Sequence, residues 1–468
     1  MLKGLEISII PYQKAIGEDA TGRIDSSFFE KRFIELRKMA ATWERLDSHA
    51  RSIVCGPFGS NLLNDNYVEQ GIPMVRPFNL RNGRIDAGEV ALVEEDFIER
   101  TGLKTFGRGT LMFARVGDIG AGISLSEKVT ISPNIIAAEL DGSIDPYFVG
   151  VFANTRFGQL QLEAGMKVVA QPTISTDAIR ALRIPHLGPV FQKRISDFFH
   201  LSVDAQDAGK RLLVEAETTL LGALGLERWK TPVPLTYVRS SSDAFAAGRL
   251  DAEYFHPAKT EALAKLSALS YCTVGDRFNS IRELWQPDDD RGPIAVRNYD
   301  LTDALNPFLD GSKELSHRTT IASTKKAIRG GDLVVSRLRS YLKEIAIVQS
   351  GGGMPMVAST EYIVLRPKQS GCVPVEALMI FLRSALPQVV FKWSQDGSAH
   401  PRFDERELLR LPLPEVLIQH SDDYVDAVRA VIAKRERATQ LLNSAKRAVE
   451  IAVEQDEKTA LAYLEANA

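Results

Sequence analysis

GRIDSSFF, residues 22–29, returns as GRLDAEYF at residues 248–255. A glycine, an arginine–aspartate pair and two adjacent aromatics keep their spacing in both copies. Working outward from that phrase, further pairs follow in the same order. GIPMVRPFNL (71–80) matches GPIAVRNYDL (292–301), aligning Arg76 with Arg297 and Asn79 with Asp300. RGTLMFARV (108–116) matches GGDLVVSRL (330–338), aligning Arg115 with Arg337. AQPTISTDAIRALRIP (170–185) matches AHPRFDERELLRLPLP (399–414). Any one match is weak. Four in one order, at offsets of 221–229 residues, define two homologous halves, roughly 1–230 and 231–468. The period is far too long for a solenoid, so the repeating unit is a domain plus a helix.

Within each unit the patterning changes once. IPMVRPFNL, TLMFARVGDIG and DLVVSRLRSYL are short, apolar and bounded by Gly, Pro or Asp, and read as strands. From Gln192 the period becomes helical, with Ile195, Phe198, Phe199, Leu212, Ala216, Leu220 and Leu224 largely on one face. The second copy repeats this with Val425, Val428, Ile432, Leu442, Ala445, Val449 and Ala452, opened by Ser421 with Asp422 and Asp423. Helices of 30–45 residues are about 45–65 Å long and need a partner of equal length. The expected fold is therefore mixed α/β, strand-rich, and duplicated with pseudo-two-fold symmetry, plus two long antiparallel helices in a coiled-coil-like pair. The expected segments are a first domain at 1–190, a helix at 191–228, a second domain at 229–418 and a second helix at 419–468.

Composition narrows the function classes. A chain of 468 residues is too long for one ordinary core. Its 44% hydrophobic and 25% charged content is that of a globular protein. No run of about 18 apolar residues suggests a membrane span, and residues 1–19 lack the apolar stretch of a signal peptide. Cys55, Cys272 and Cys372 lie far apart, which argues against a disulfide framework or structural zinc and fits a reducing cytoplasm. A net charge of −3 neither demands nor excludes a nucleic acid, because a basic face can hide in the balance. There is no phosphate-binding GxxxxGK[ST] loop, no HExxH and no [DNS]PP[YFW] motif. GDIGAG (117–122) reads as a tight turn in a strand context rather than a cofactor fingerprint.

The order of motifs resembles that of the specificity subunit of type I restriction–modification enzymes. The residues that carry the resemblance are CGPFGSNL (55–62), YVEQGIPMVRPFNL (67–80), GTLMFARVGDIG (109–120), QPTISTDAIRALRIPHL (171–187) and FQKRI (191–195), together with the duplication. The second half departs from the pattern, with NSIRELWQPDDDRGPIAV (279–296) in place of GPFGS and LRSYLKEIAIV (338–348) in place of VGDIG. The resemblance implies a subunit without catalysis of its own, reading double-stranded DNA with two target-recognition domains. It implies two copies of a methyltransferase subunit as partners, with S-adenosylmethionine bound there and not on this chain, and a restriction–translocation subunit for cleavage. Paired helices would act as a ruler between two unlike half-sites, since two identical domains would read a palindrome. A protein-interaction scaffold and the specificity subunit of a related phage-defence methylation system are the alternatives.

Candidate DNA-contacting residues follow from side-chain chemistry: Arg reads guanine, Asn and Gln read adenine, and Lys and Arg meet phosphates. In the first half they are Arg76, Asn79, Arg81, Asn82, Arg115, Lys167, Gln171 and Thr173. In the second they are Arg297, Asn298, Arg337, Arg339, Lys343, Lys392, His400 and Arg402. Arginines shared by the halves, such as Arg115 and Arg337, suit scaffold or phosphate better than a base. The stretches MKVVAQPT (166–173) and SQDGSAHPR (394–402) differ between the halves and suit base reading better. The basic run at 433–448 is read as a solvated helix face, with a partner or DNA-backbone surface as the alternative.

Overall fold

The computed structural model describes residues 9–467 except 12–24, 57–66, 69, 82, 86–89, 118–119, 168–171, 290–291, 369–372 and 398. Packing divides the chain into two units, Met1–Gln206 with Glu436–Ala468, and Asp207–Arg435. Each unit holds one copy of the same scaffold.

In the first copy one sheet runs in the order Ala50–Cys55, Ile135–Leu140, Leu111–Ala114, Ala121–Ile123, Arg84–Ile85, Leu80–Arg81. In the second copy it runs Phe278–Ile281, Tyr362–Pro367, Leu333–Ser336, Ile345–Val348, Phe308–Leu309. The link to Arg84–Ile85, and its counterpart to Phe308–Leu309, is parallel in both. A second sheet shares four strands between copies. These are Ala91–Val93, Ile72–Val75, Val129–Ile131 and Thr105–Phe106 in the first copy. In the second they are Ser316–His317, Ala295–Tyr299, Met356–Ala358 and Lys325–Ile328. The copies differ at the edges of this sheet. Tyr67–Val68 adds to Ala91–Val93 in the first, whereas Leu284–Trp285 adds to Lys325–Ile328, the opposite edge, in the second.

Central strands read as unbroken apolar runs because both faces are covered. Leu111 and Phe113 join the core of the helices Pro146–Ala153 and Arg156–Ala164, while Met112 between them joins Val75, Phe106 and Val129 of the second sheet. Leu333 and Val335, with Val334 between them, repeat this in the second copy. Helix Pro146–Ala153 starts where Asp145 accepts from the amides of Tyr147 and Phe148, with Pro146 in the first turn. It lies so close to the sheet that a Cβ on Gly150 would stand 2.2 Å from Ile123 Cδ1.

The structure corrects one of the four sequence matches. Ile131 pairs with Val75, and Ala358 with Tyr299, in the parallel ladders. The next residues form the same capping box: the amide of Arg76 donates to Asn79 Oδ1 at 2.9 Å, and that of Asp300 to Asp303 Oδ2 at 2.7 Å. Arg76 thus corresponds to Asp300 and Asn79 to Asp303, a shift of three residues from the alignment of Arg76 with Arg297. Hydrophobicity favours the wrong register, which lines Met74 with Ala295 and Val75 with Val296, whereas the ladder sets Met74 against Asn298 and Val75 against Tyr299; ladder and cap decide.

The repeated phrase occupies like surroundings in both units. Asp25 Oδ1 accepts from the amide of Phe28 at 3.0 Å, and Asp251 Oδ2 from that of Tyr254 at 3.2 Å. Phe28 and Phe29 meet edge to face at 5.0 Å, as Tyr254 and Phe255 do at 5.1 Å. A cation lies over the leading ring in each, Arg37 at 4.1 Å and Lys259 at 3.4 Å. Arg249 closes the expected pair with Asp251 at 2.6 Å; Arg23 lies outside the described residues.

The long helices are Pro189–Ala223 and Ser421–Glu454. The segment expected as one helix over 419–468 breaks after Glu454. Asp456 there accepts from the amide of Thr459 and caps a separate helix, Glu457–Ala466. In the first unit Ile195, Phe198 and Phe199 are buried with Leu441, Leu442, Ala445 and Val449, and Ser202 Oγ donates to the carbonyl of Ala438 at 2.8 Å. In the second unit Ala216, Leu220 and Leu224 are buried with Tyr424, Val428 and Val431. The segments run antiparallel in each unit. Both expected apolar stripes are therefore used, and each helix contributes one part to each unit. Among the described residues no helix is long and apolar enough to cross a membrane, and no cluster of His, Cys, Asp or Glu could hold a metal ion.

Candidate nucleic-acid interface

Both copies build the same local frame after the strands Leu111–Ala114 and Leu333–Ser336. In the first, the amide of Arg115 donates to the carbonyl of Asn134 and that of Ile174 to the carbonyl of Arg115, both at 2.9 Å, and Val116 bridges Thr173. In the second, the amide of Arg337 donates to the carbonyl of Glu361 at 3.2 Å and that of Phe403 to the carbonyl of Arg337 at 3.1 Å, and Leu338 bridges Arg402. The backbone thus equates Arg115 with Arg337, Asn134 with Glu361, and Thr173 with Arg402.

The side chains on that frame differ. In the second copy the Glu361 carboxylate accepts from both arginines. Arg402 reaches it through Nε at 3.0 Å and Nη2 at 2.8 Å, and Arg337 through Nε at 3.0 Å. The hydrogen bonds from Arg402, against the cost of partial burial and with further help from Arg337, hold Glu361 below the usual carboxylate range. In the first copy Asn134 and Thr173 stand in those places. Burial there pushes the Cys55 thiol up, opposed by the nearby charge of Arg115.

The following loop also differs. From Val116 to strand Ala121–Ile123 the first copy uses Gly117–Gly120, with Gly117 at φ 80°. From Leu338 to Ile345–Val348 the second copy uses 339–344, two residues longer. Arg339 and Lys343 there hold left-handed backbone at φ 48° and 51°, a conformation costly for residues with a Cβ. They flank a single turn, Ser340–Leu342, that presents Tyr341 at 63% exposure. The amide of Arg339 donates to the carbonyl of Pro401 at 2.9 Å, and its Nη2 lies 3.3 Å from His400 Nδ1.

Among the predicted residues, Arg337, Arg339, His400 and Arg402 therefore converge on one end of the second copy, with Lys343 in the same loop. Arg115 and Thr173 occupy the matching end of the first. Lys392 ends a neighbouring helix, its Nζ 5.0 Å from the ring of Trp393, which stacks on His256 at 3.7 Å. Four residues lie elsewhere in their copies, Arg76 and Asn79 at the capped turn between Ile72–Val75 and Leu80–Arg81, and Arg297 and Asn298 in the strand Ala295–Tyr299. Asn79 is 1% exposed and serves as a cap, out of reach of a groove. Arg76 packs its guanidinium on Phe78 at 4.7 Å. Arg297 donates to the carbonyls of Lys313 and Gly351 at 2.9 and 2.7 Å, and Asn298 sits half-buried in the same strand with its amide oxygen enclosed. Arg81 and Lys167 contribute backbone to the strands Leu80–Arg81 and Met166–Lys167. Asn82, Gln171 and most of the GPFGS stretch lie outside the described residues. Sequence reasoning missed Glu361 and Tyr341. The two-residue insertion was a usable signal for Tyr341; Glu361, 24 positions from Arg337, left none.

The fold defines a class, a duplicated mixed α/β domain in which each copy is completed by segments of two shared long helices. No protein-family profile and no curated protein matches the sequence. Solved structures do. The HsdS subunit from Thermoanaerobacter tengcongensis is similar over 88% of this chain and 96% of its own, at 13% identity and a TM-score of 0.28. The S subunit of a type I restriction–modification system from M. genitalium is similar over 90% and 95%, at 14% identity and a TM-score of 0.34. A chain from a study of assembly and conformational transition in the type I restriction–modification system is similar over 89% and 97%, at 13% identity and a TM-score of 0.28. At such scores no residue role passes from them to this chain, and the comparison between its own two copies carries the functional reading.

Proposed function

We propose that the chain is the DNA-specificity subunit of a type I restriction–modification complex, reading an asymmetric, bipartite target. One observation carries the proposal. Two copies share their central strands and strand order yet differ in side chains and loop length at one matched end, where Arg337, Arg339, His400 and Arg402 of the second copy correspond to Arg115, Thr173 and their neighbours in the first. A duplicated scaffold with unlike loops is suited to reading two unlike half-sites, and arginine-rich loops supply both phosphate and guanine contacts. The long helices would set the gap and dock two copies of a methyltransferase subunit. Those subunits would bring S-adenosylmethionine, and a restriction–translocation subunit would add cleavage in the cytoplasm.

The test is selection from a randomised duplex library by the chain in complex with its methyltransferase subunits. The expected result is a two-part motif with a fixed gap and unlike halves. Enrichment of no such motif refutes the reading. Removing one whole turn from each long helix is expected to shorten the gap, and an unchanged gap refutes the ruler role alone.

A further inference from the structure

In the first copy the side-chain amide of Asn154 donates to the carbonyl of Ala121 at 3.0 Å, where strand Ala121–Ile123 begins. The next residue repeats one contact in both copies, Thr155 Oγ1 donating to the carbonyl of Phe152 and Ser384 Oγ to that of Phe381, both at 2.6 Å, at the N-cap of the following helix, so Arg383 stands where Asn154 does. Its Nη1 donates to the carbonyl of Ile345 at 3.2 Å, where strand Ile345–Val348 begins, and also to the carbonyl of Lys343 at 2.8 Å. The longer side chain thus reaches into the longer loop. On its far side Nε lies 3.9 Å from Glu217, an ion pair beyond hydrogen-bond length, in the part of helix Pro189–Ala223 that belongs to this unit, and the two side chains are only 12% and 21% exposed. Burial pushes the Glu217 carboxyl up, against the nearby charges of Lys343 and Arg383. Lys343, whose carbonyl is gripped, is one of the two left-handed residues of the loop. A residue with a Cβ holds that conformation only where its surroundings over-determine it.

We propose that Arg383 is the positioning residue of the 339–343 loop, tying it to Glu217 of the long helix. Discrimination at the half-site read by the second copy then depends on Arg383 and Glu217, and discrimination at the other half-site does not. This rests on the DNA-reading function proposed above, so the test has one arm that is independent of it. That arm is hydrogen exchange of the full chain alone. Arg383→Asn, which installs the first copy's solution, is expected to speed exchange over 339–345 by about tenfold or more, the loss of a charge-assisted hydrogen bond. Residues 111–123 are expected to be unchanged, and Arg383→Lys to fall between. An unchanged rate at 339–345, or an equal rise throughout the second copy, overturns the positioning role. The second arm is the randomised-duplex selection with methyltransferase subunits. Arg383→Asn and Glu217→Gln are expected to flatten base preference at one half-site and leave the other intact. Flattening of both or of neither overturns the proposal. A wild-type chain that enriches no motif overturns the DNA reading instead, and the exchange arm then decides the positioning role by itself.

Discussion

Replacing Glu361 by alanine sets stability and DNA affinity against one another. The carboxylate holds Arg337 and Arg402, whose side chains are 43% and 41% exposed. Half-exposed ion pairs contribute about 0.2–1 kcal/mol each, and the two-pronged grip of Arg402 belongs at the upper end. The expected loss is about 1–2 kcal/mol, a drop of about 2–8 °C in Tm for a domain near 200 residues. The same change frees two guanidinium groups at the proposed interface. Each new phosphate contact steepens the slope of log K against log salt by about 0.9, so two steepen it by about 1.8. Binding to a random duplex at low salt should tighten while selectivity falls, read by fluorescence anisotropy over a salt series. Weaker binding with an unchanged slope would refute the placement of this cluster on DNA. The sign of the pH effect is also determined. Because the folded-state value of Glu361 is depressed, its contribution is complete above the unfolded carboxylate value of about 4.3. It is lost as pH falls through the lower folded value, so Glu361→Ala and wild type should converge in stability toward strongly acidic pH.

Three further outcomes are expected. Phe198→Ala empties a site that is fully buried between the long helices and should cost about 3–5 kcal/mol in urea unfolding. Gly150→Ala forces a methyl against Ile123 and should cost about 1–3 kcal/mol, much of it restored by the double change with Ile123→Ala. Asp25→Ala and Asp251→Ala should each cost about 1 kcal/mol through the lost cap, with Asp251→Ala the larger because it also releases Arg249; equal melting shifts would count against that added tie.

What the sequence disclosed was what recurs. The phrase at 22–29 and 248–255, the central strands and the helical stripes all rest on apolar spacing or on a side chain bonded to a near neighbour, and all are visible within a few residues. The register of Ile72–Val75 against Ala295–Tyr299 was not, because apolar matching favours a register three residues away and only the parallel ladders and the capping boxes reject it. Placement of the arginines was harder still. Arg297 and Arg337 look alike in sequence, yet one is spent on carbonyls of its own sheet and the other on a carboxylate 24 positions away. Such partners are fixed by topology, which no local pattern encodes. Arg383 was illegible for the same reason, since its partners Lys343 and Glu217 both lie far upstream in the chain, on different elements.

The sharing of the long helices has a consequence for synthesis. The wall formed by Phe191, Ile195, Phe198 and Phe199 is closed by Leu441, Leu442, Ala445, Val449 and Leu464, from the last part of the chain. When those phenylalanines leave the ribosome, their covering has not been translated. At about 5–20 residues per second the interval is about 12–55 s, during which an aromatic surface stands open to solvent and to neighbouring nascent chains. Expression of a chain ending near residue 435 should make that interval permanent. Its first domain would then need a chaperone, or the missing tail supplied as a separate peptide, to stay in solution.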